Sequence, residues 1–547
     1  MSTTRVFITN PSATHLEDGD VDWIIAGTRP DIAVNRIDSY RSFSVGKDTI
    51  TSLPGEYSIL RIDNSLEKTA INAHRGITSS FDWYFTLTDR GPVIGDHFRE
   101  VLAEVPVEER TVAESVGSDQ LLLGTRPSKT YVEEVERLGH GESLSWEVNS
   151  DDQPEVNLTE GLSTNNHLSP SKAKQKLDSY FSSSLVPDEY DGPATMLSGG
   201  VDSTLMQSYL QSPPTVSAAY DSPEFEYEVE YALEASDLLN SEHQLLRFDE
   251  SDFLSAVEKT TDATGHPLQH LQTTLMRQTV AETPHKTYFN GQLADGIFGV
   301  GSAVGYQIAW MTRHFNHYLP SIYSQIDQLK QLSAELKRPV SDEHGAGMQF
   351  VIHSDEERVE DIVGETAVRN SKIRRFQYVR DRLSFDDTSG YGPHMHVGHF
   401  IDFFQDNTVT PWRHAAHAHG KSLQTPFAAK KVVETVLSVP REKRYTNRFE
   451  NKYLLKDLLN ERLPGYNTKK SKGSSALPEE RYLKRGPLSE AFEKYSIPEF
   501  VPSASHDKIR TGVDHTSWYA LAYAVWRDRI LTNPNLGHFE STSILER

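Results

Sequence analysis

A chain of 547 residues is long enough for two large domains with proper cores, and its lack of cysteine excludes disulfides and persulfide chemistry. The excess of 78 acidic over 55 basic residues, a formal charge of −23, opposes non-specific nucleic-acid binding, which depends on phosphate contacts from Lys and Arg. It also suits a salt-rich cytoplasm, where charged surfaces stay hydrated. No signal peptide, internal repeat or apolar run long enough to span a bilayer is seen, so a cytoplasmic protein with neither membrane nor nucleic-acid partner is expected.

Residues 1–155 alternate strand-like pieces with turns. Pro54-Gly55-Glu56-Tyr57-Ser58-Ile59, Ala70 to Arg75, Trp83-Tyr84-Phe85 and Pro92 to Leu102 predict a β-rich layer. Asn149 to Ser171, rich in Asp, Asn, Ser and Pro, marks the boundary with a second domain at 170–547. There an apolar run, Ala194 to Leu197, leads into Ser198-Gly199-Gly200-Val201-Asp202-Ser203 and an amphipathic stretch, Thr204 to Leu210. The glycines let the backbone approach an anion, Ser198 and Ser203 offer hydroxyl donors, and the following helix aims free amides at the same point. An aspartate inside a phosphate loop would repel its ligand without a cation between them, so Asp202 implies Mg²⁺.

Thr215 to Tyr220, Glu228 to Leu239, Gln244 to Phe248, Phe253 to Val257 and Lys286 to Asn290 then alternate strand and helix patterns. This predicts an α/β fold with a parallel sheet and helices on both faces. Ligands in such sheets sit beyond the carboxyl ends of the strands, where Asn290-Gly291-Gln292-Leu293-Ala294-Asp295 emerges, so Asp202 and Asp295 are expected to share one crevice. A helical part from about Thr312 onward would cover the sheet.

These residues resemble a known family. The Ser198 to Ser203 loop is similar to the pyrophosphate loop of N-type ATP pyrophosphatases. Gly291-Gln292-Leu293-Ala294-Asp295-Gly296-Ile297-Phe298-Gly299 resembles the second signature of the asparagine synthetase branch, usually Gly-Glu-Gly-Ala-Asp-Glu-Leu-Phe-Gly. Trp412-Arg413-His414 to Gln424-Thr425-Pro426-Phe427 is similar to its arginine-bearing helix and Arg-x-Pro-Phe turn, Asn451-Lys452-Tyr453-Leu454-Leu455-Lys456 to its Lys-x-x-Leu-Arg segment, and Lys470-Ser471-Lys472-Gly473 to its Arg-x-Lys-x-Gly stretch. The order and approximate spacing of all five agree. Earlier landmarks resemble, in order though weakly in letters, the glutaminase domain that precedes asparagine synthetases. The resemblance implies an N-terminal Ntn-hydrolase-like αββα sandwich, then a parallel-sheet PP-loop domain of the adenine nucleotide α-hydrolase-like kind with helical additions.

The chemistry so implied is formation of an acyl adenylate from a carboxylate and ATP, followed by attack of ammonia or an amine. Both steps place negative charge on phosphate and on an oxyanion, so the site needs metal ions and a fixed cation. By resemblance, Asp202 and Asp295 hold Mg²⁺ against ATP; Ser198, Gly199, Gly200 and Ser203 cradle the pyrophosphate; Leu197 and Tyr220 lie near adenine or ribose; and Lys472 steadies developing charge. Lysines in a run such as Lys469, Lys470 and Lys472 are otherwise an ordinary solvated face. The partners would be small-molecule or peptide carboxylates and amines, and a homodimer is compatible with the resemblance.

The chain departs from the pattern on the amine side. The glutaminase nucleophile is a cysteine after the initiator methionine; here Ser2 stands there, and His74-Arg75-Gly76 replaces an Arg-Asp-x-x-Gly landmark. The reading is a retained scaffold without glutaminase activity, similar to β-lactam synthetases, carbapenam synthetase and lasso-peptide cyclases. Gln292 cannot take a proton where asparagine synthetases have glutamate, and Gly296 replaces a second glutamate. His266, before Pro267, is a candidate base. His394, His396, His399, His414, His417 and His419 crowd a later region, and the spacing of His414 and His417 could suit zinc. Asparagine synthesis with free ammonia, or a nucleotide-binding scaffold without catalysis, stand as alternatives.

Overall fold

The computed structural model describes residues 3–37, 42–65, 68–126, 129–148, 153–164, 167–211, 213–222, 226–298, 354–385, 408–440, 443, 446–447, 450–469 and 477–547. Two sheets form the N-terminal part. The first runs Ser543–Glu546, Arg5–Ile8, Gly91–Gly95, Tyr84–Thr88, Glu136–Arg137, and the second runs Glu155–Leu158, Glu142–Glu147, Ala70–Arg75, Tyr57–Asp63, Val21–Gly27, Thr14–Asp18. Alternate residues of each strand point to opposite faces. Val6, Phe85 and Ile94 therefore meet Leu60, Ile62, Ile71 and Leu144 between the sheets, around Trp83 and Trp146.

The outer faces are covered as well. Trp23, Ile25 and Ile59 pack on Ala33 and Ile50 of helices Pro30–Ile37 and Phe43–Thr51. On the other side Phe7, Tyr84 and Val93 pack on Phe98, Val101 and Leu102, and on Tyr523 and Trp526 of helix His515–Trp526. The layering is α, β, β, α, with the last layer partly built from the far end of the chain. The C-terminal strand pairs antiparallel with Arg5–Ile8.

The third sheet is entirely parallel, in the order His243–Phe248, Thr215–Tyr220, Pro193–Met196, Thr287–Phe289, Ser422–Gln424. One face packs Ala194, Val216, Tyr288 and Leu423 against Ala263, Met276, Val280 and Ala415. The other is covered by helices Pro170–Ser184, Val201–Leu210, Lys430–Leu437 and Tyr453–Arg462 through Phe181, Leu205, Val433 and Leu455. From Pro193–Met196 the chain first builds outward through Thr215–Tyr220 and His243–Phe248, then returns to add Thr287–Phe289 on the opposite side. The strand order thus reverses between Pro193–Met196 and Thr287–Phe289, where open α/β sheets leave a crevice at the carboxyl ends. The fold is mixed α/β as expected. Among the elements the sequence reading does not contain are strand Ser422–Gln424, where three residues give no periodicity, helices Pro170–Ser184 and Gln272–Glu282, and the closing strand Ser543–Glu546. No helix among the described residues is long and apolar enough to cross a membrane.

Candidate active site

Two loops leave the crevice, one from each strand beside the reversal. In the first, Gly199 adopts φ +69. A Cβ there would lie 2.1 Å from the carbonyl carbon and oxygen of Tyr231, so this glycine admits the backbone of helix Glu226–Leu239. Gly200 caps helix Val201–Leu210 without a side chain, so no capping oxygen of its own competes for the first-turn amides. Ser198 and Ser203 have their hydroxyl oxygens 3.1 Å apart, and the Ser198 amide donates to Ser203 Oγ at 3.2 Å. The buried Tyr466 hydroxyl donates to the Gly199 carbonyl, and burial pushes that phenol up to about 12, so it remains a donor.

The second loop is fixed by Asn290. Its amide group donates to the Gln424 carbonyl at 3.2 Å and to Thr425 Oγ1 at 3.0 Å, while its oxygen accepts from the Gln292 amide at 2.9 Å. Next comes Gly291, where a Cβ would meet Asp202 Cβ and the Ser203 nitrogen, each at 2.9 Å. A glycine here lets the two loops touch. Leu293, buried in the main core, has φ +75, and Asp295 follows in the first turn of helix Ala294–Phe298.

Asp202 and Asp295 do converge, and a third group joins them. The Lys452 ammonium lies 2.5 Å from Asp202 Oδ2 and also pairs with Asp295 Oδ1. Burial pushes the lysine down, but the charge and hydrogen bonds of the two carboxylates outweigh it and leave the ammonium above its ordinary value. In the sequence Lys452 is legible only as the first residue of the Lys-x-x-Leu segment, Lys452 to Leu455; that it bridges the two aspartates comes from the fold. Two carboxylates are too few to hold a metal ion unaided, and no group of three or more His, Asp or Glu among the described residues is arranged to do so. Two carboxylates are nevertheless the hard oxygen donors that Mg²⁺ takes, and they stand beside the Ser198 to Ser203 loop.

The remaining residues are distributed as follows. Leu197 and Tyr220 stand at the ends of their strands with side chains turned into the core, the Tyr220 hydroxyl bonded to Thr274 Oγ1 at 2.9 Å and Gln278 Oε1 at 2.7 Å. Gln292 is half-buried in the second loop. His266 turns toward the N-terminal sheets, with Nε2 3.2 Å from the Tyr84 hydroxyl and its ring stacked on Phe98 and His414. His414 and His417 are buried beside Arg413, whose guanidinium donates to Glu56 at 3.2 Å. Arg75 is sealed inside, paired with Asp82 at 2.7 Å. Ser2, Gly299, His394, His396, His399 and Lys470 to Gly473, Lys472 included, lie outside the described residues.

Residues 192–517 match the family model described as asparagine synthase. Among solved structures, NMN synthetase from Francisella tularensis is similar at 22% identity, covering 24% of this chain and 58% of that chain with a TM-score of 0.18. The similarity therefore spans less than two thirds of that protein. No curated protein matches the chain.

Proposed function

The chain belongs to the asparagine synthase family, and on that premise we propose that it is an ATP-dependent, AMP-forming ligase that adenylates a carboxylate, releasing pyrophosphate, and passes the acyl group to ammonia or an amine without glutaminase activity. The observation that carries this reading is the meeting of Asp202 and Asp295 on one buried cation beside a glycine loop, at the point where a parallel sheet reverses its strand order.

In this reading the first-turn amides of helix Val201–Leu210 and the Ser198 and Ser203 hydroxyls bind the phosphates, with Gly199 and Gly200 keeping the backbone close. Asp202 and Asp295 would hold Mg²⁺, which when bound neutralises triphosphate charge and polarises the α-phosphate for carboxylate attack. Lys472, from the segment outside the described residues, supplies positive charge for the oxyanion, and Lys452 adds a second cation beside the two aspartates. Leu197 and Tyr220 bound the nucleotide end through their strand termini. Gln292 orients the amine without deprotonating it, so the amine arrives neutral or gives its proton to another base, for which His266 is the candidate. The division into 1–155 and 170–547, with the first part a scaffold, belongs to the same proposal.

Carboxylate-dependent release of AMP and pyrophosphate is the expected activity, and Asp202→Ala removes it by at least about a hundredfold, the scale set by loss of a principal electrostatic group. Turnover that survives Asp202→Ala would place the site elsewhere. Gln292 and Gly296, each where the family signature has glutamate, favour one second reading, a nucleotide-binding homologue without catalysis. It predicts ATP binding that depends on Asp202 with no AMP release from any carboxylate tested.

A further inference from the structure

Resting on that reading of Asp202 and Asp295 as metal ligands, we propose that Lys452 is their counter-ion in the nucleotide-free protein and must leave the pair before a divalent cation can enter, so that metal binding becomes dependent on nucleotide. The ammonium contacts both carboxylates, at 2.5 Å on Asp202. It therefore fills the gap between them. A magnesium ion needs oxygen ligands at about 2.0–2.1 Å in near-octahedral geometry, and an ion taking Asp202 Oδ2 and Asp295 Oδ1, the two oxygens the ammonium now holds, would leave the ammonium no room there.

The lysine is aimed at this point by the core. It precedes helix Tyr453–Arg462 with φ 51 and ψ 27, a left-handed backbone rarely taken by a lysine. Leu454, Leu455 and Leu458 of that helix share a core with Leu205 and Met206 of the helix that carries Asp202. The Cα of Lys452 is thereby fixed relative to Asp202, and only the methylene stem is free to redirect the charge. The Lys452 backbone carbonyl is engaged too, accepting from the Lys456 amide at 3.0 Å.

Charge decides the order of events. Two carboxylates and one ammonium leave a single negative charge in a largely buried place, the side chains of Lys452, Asp202 and Asp295 being 6%, 16% and 25% exposed. Adding a dication with the ammonium still in contact would set three positive charges against two negative ones with little water to screen them. A triphosphate arriving with the metal changes the balance, because its oxygens give the displaced ammonium new anionic partners. The lysine thus excludes free metal and yields to metal with nucleotide.

The test is Mn²⁺ titration of the full-length protein, followed by electron paramagnetic resonance, with and without ATP, for wild type and for Lys452→Met, Lys452→Arg and Asp202→Asn. Without nucleotide, Lys452→Met is expected to bind Mn²⁺ about tenfold or more tighter than wild type, since a competing unit charge has gone. Lys452→Arg, which keeps the charge, is expected to stay as weak as wild type, and its circular dichroism shows whether substitution here preserves the fold. Equal nucleotide-free affinities in wild type and Lys452→Met overturn the exchange. If Mn²⁺ with ATP still binds in an Asp202-dependent way, the metal site itself survives that result; if Asp202→Asn has no effect even with ATP, both fall.

Discussion

Leu293 holds a left-handed backbone in the turn that delivers Asp295, at the position where the family signature has glycine. For an L-residue this conformation costs about 1–2 kcal/mol. The compensation is burial, as Leu293 is 1% exposed in the main core, and truncating a buried leucine costs about 2–5 kcal/mol. Packing therefore outweighs strain. Leu293→Gly is expected to lower stability in urea by up to about 4 kcal/mol, the span left when the strain is set against the burial; a gain in stability would show that strain dominates. From the sequence this position is only a departure from a pattern, because φ is not written in residue identity. Gly199 is the reverse case. The sequence reads it as room for an anion, and what the structure shows is the close approach of the Tyr231 backbone.

At the scale of elements, helix Thr410–His417 shows how a helix can be chosen for what it seals. It buries Arg413, His414 and His417 against the N-terminal sheets, with the His97 ring 4.4 Å from that of His414 and Asp82 3.6 Å from its Nε2. His97 is satisfied as a neutral ring, Nδ1 accepting from the Arg99 amide and Nε2 donating to the Ala263 carbonyl. Burial holds His97 down at about 4, and His414 and His417 well below their ordinary 6.5. The unfolded chain therefore binds protons below pH 6.5 that the folded chain refuses, so stability is complete above 6.5 and falls as pH drops. Asp96, raised by burial to about 6 from 3.8, works in the opposite direction by one proton between those values. Glu160, pushed against burial down to about 2 by His74 and Lys430, loses its contribution only below 4.5. The histidines decide the window from 6.5 to 5. Unfolding free energy is expected to drop there by more than about 1.4 kcal/mol per pH unit, the value for one proton, with His97→Gln reducing the slope by about one proton; a flat profile would refute neutral burial. Histidine crowding was visible in the sequence, whereas the partner faces come from residues more than three hundred positions earlier.

For the molecule as a whole, the charge of −23 is spread over a chain whose two ends are joined. Strand Ser543–Glu546 pairs with Arg5–Ile8, and Arg547 forms ion pairs with Glu17 and Asp22. Self-repulsion of the acidic surface is screened over about 10 Å at 0.1 M salt and about 3 Å at 1 M. The thermal midpoint is expected to rise between 50 mM and 1 M KCl, which calorimetry would show; a falling midpoint would mean that specific ion pairs matter more than net charge. The sequence by itself determined the parallel sheet and the Ser198 to Ser203 loop, because these rest on local periodicity and on a short motif whose residues act within a few positions of one another; that Asp202 and Asp295 share one crevice followed from the sheet topology so read, since both loops leave carboxyl ends of its strands. Only the tertiary structure decided that Lys452 bridges the aspartates, that Ser422–Gln424 completes the sheet, and that the last strand closes the first sheet. Each of these joins segments far apart in the chain, through contacts that arise only when separate helices and strands pack, and local pattern carries no record of them.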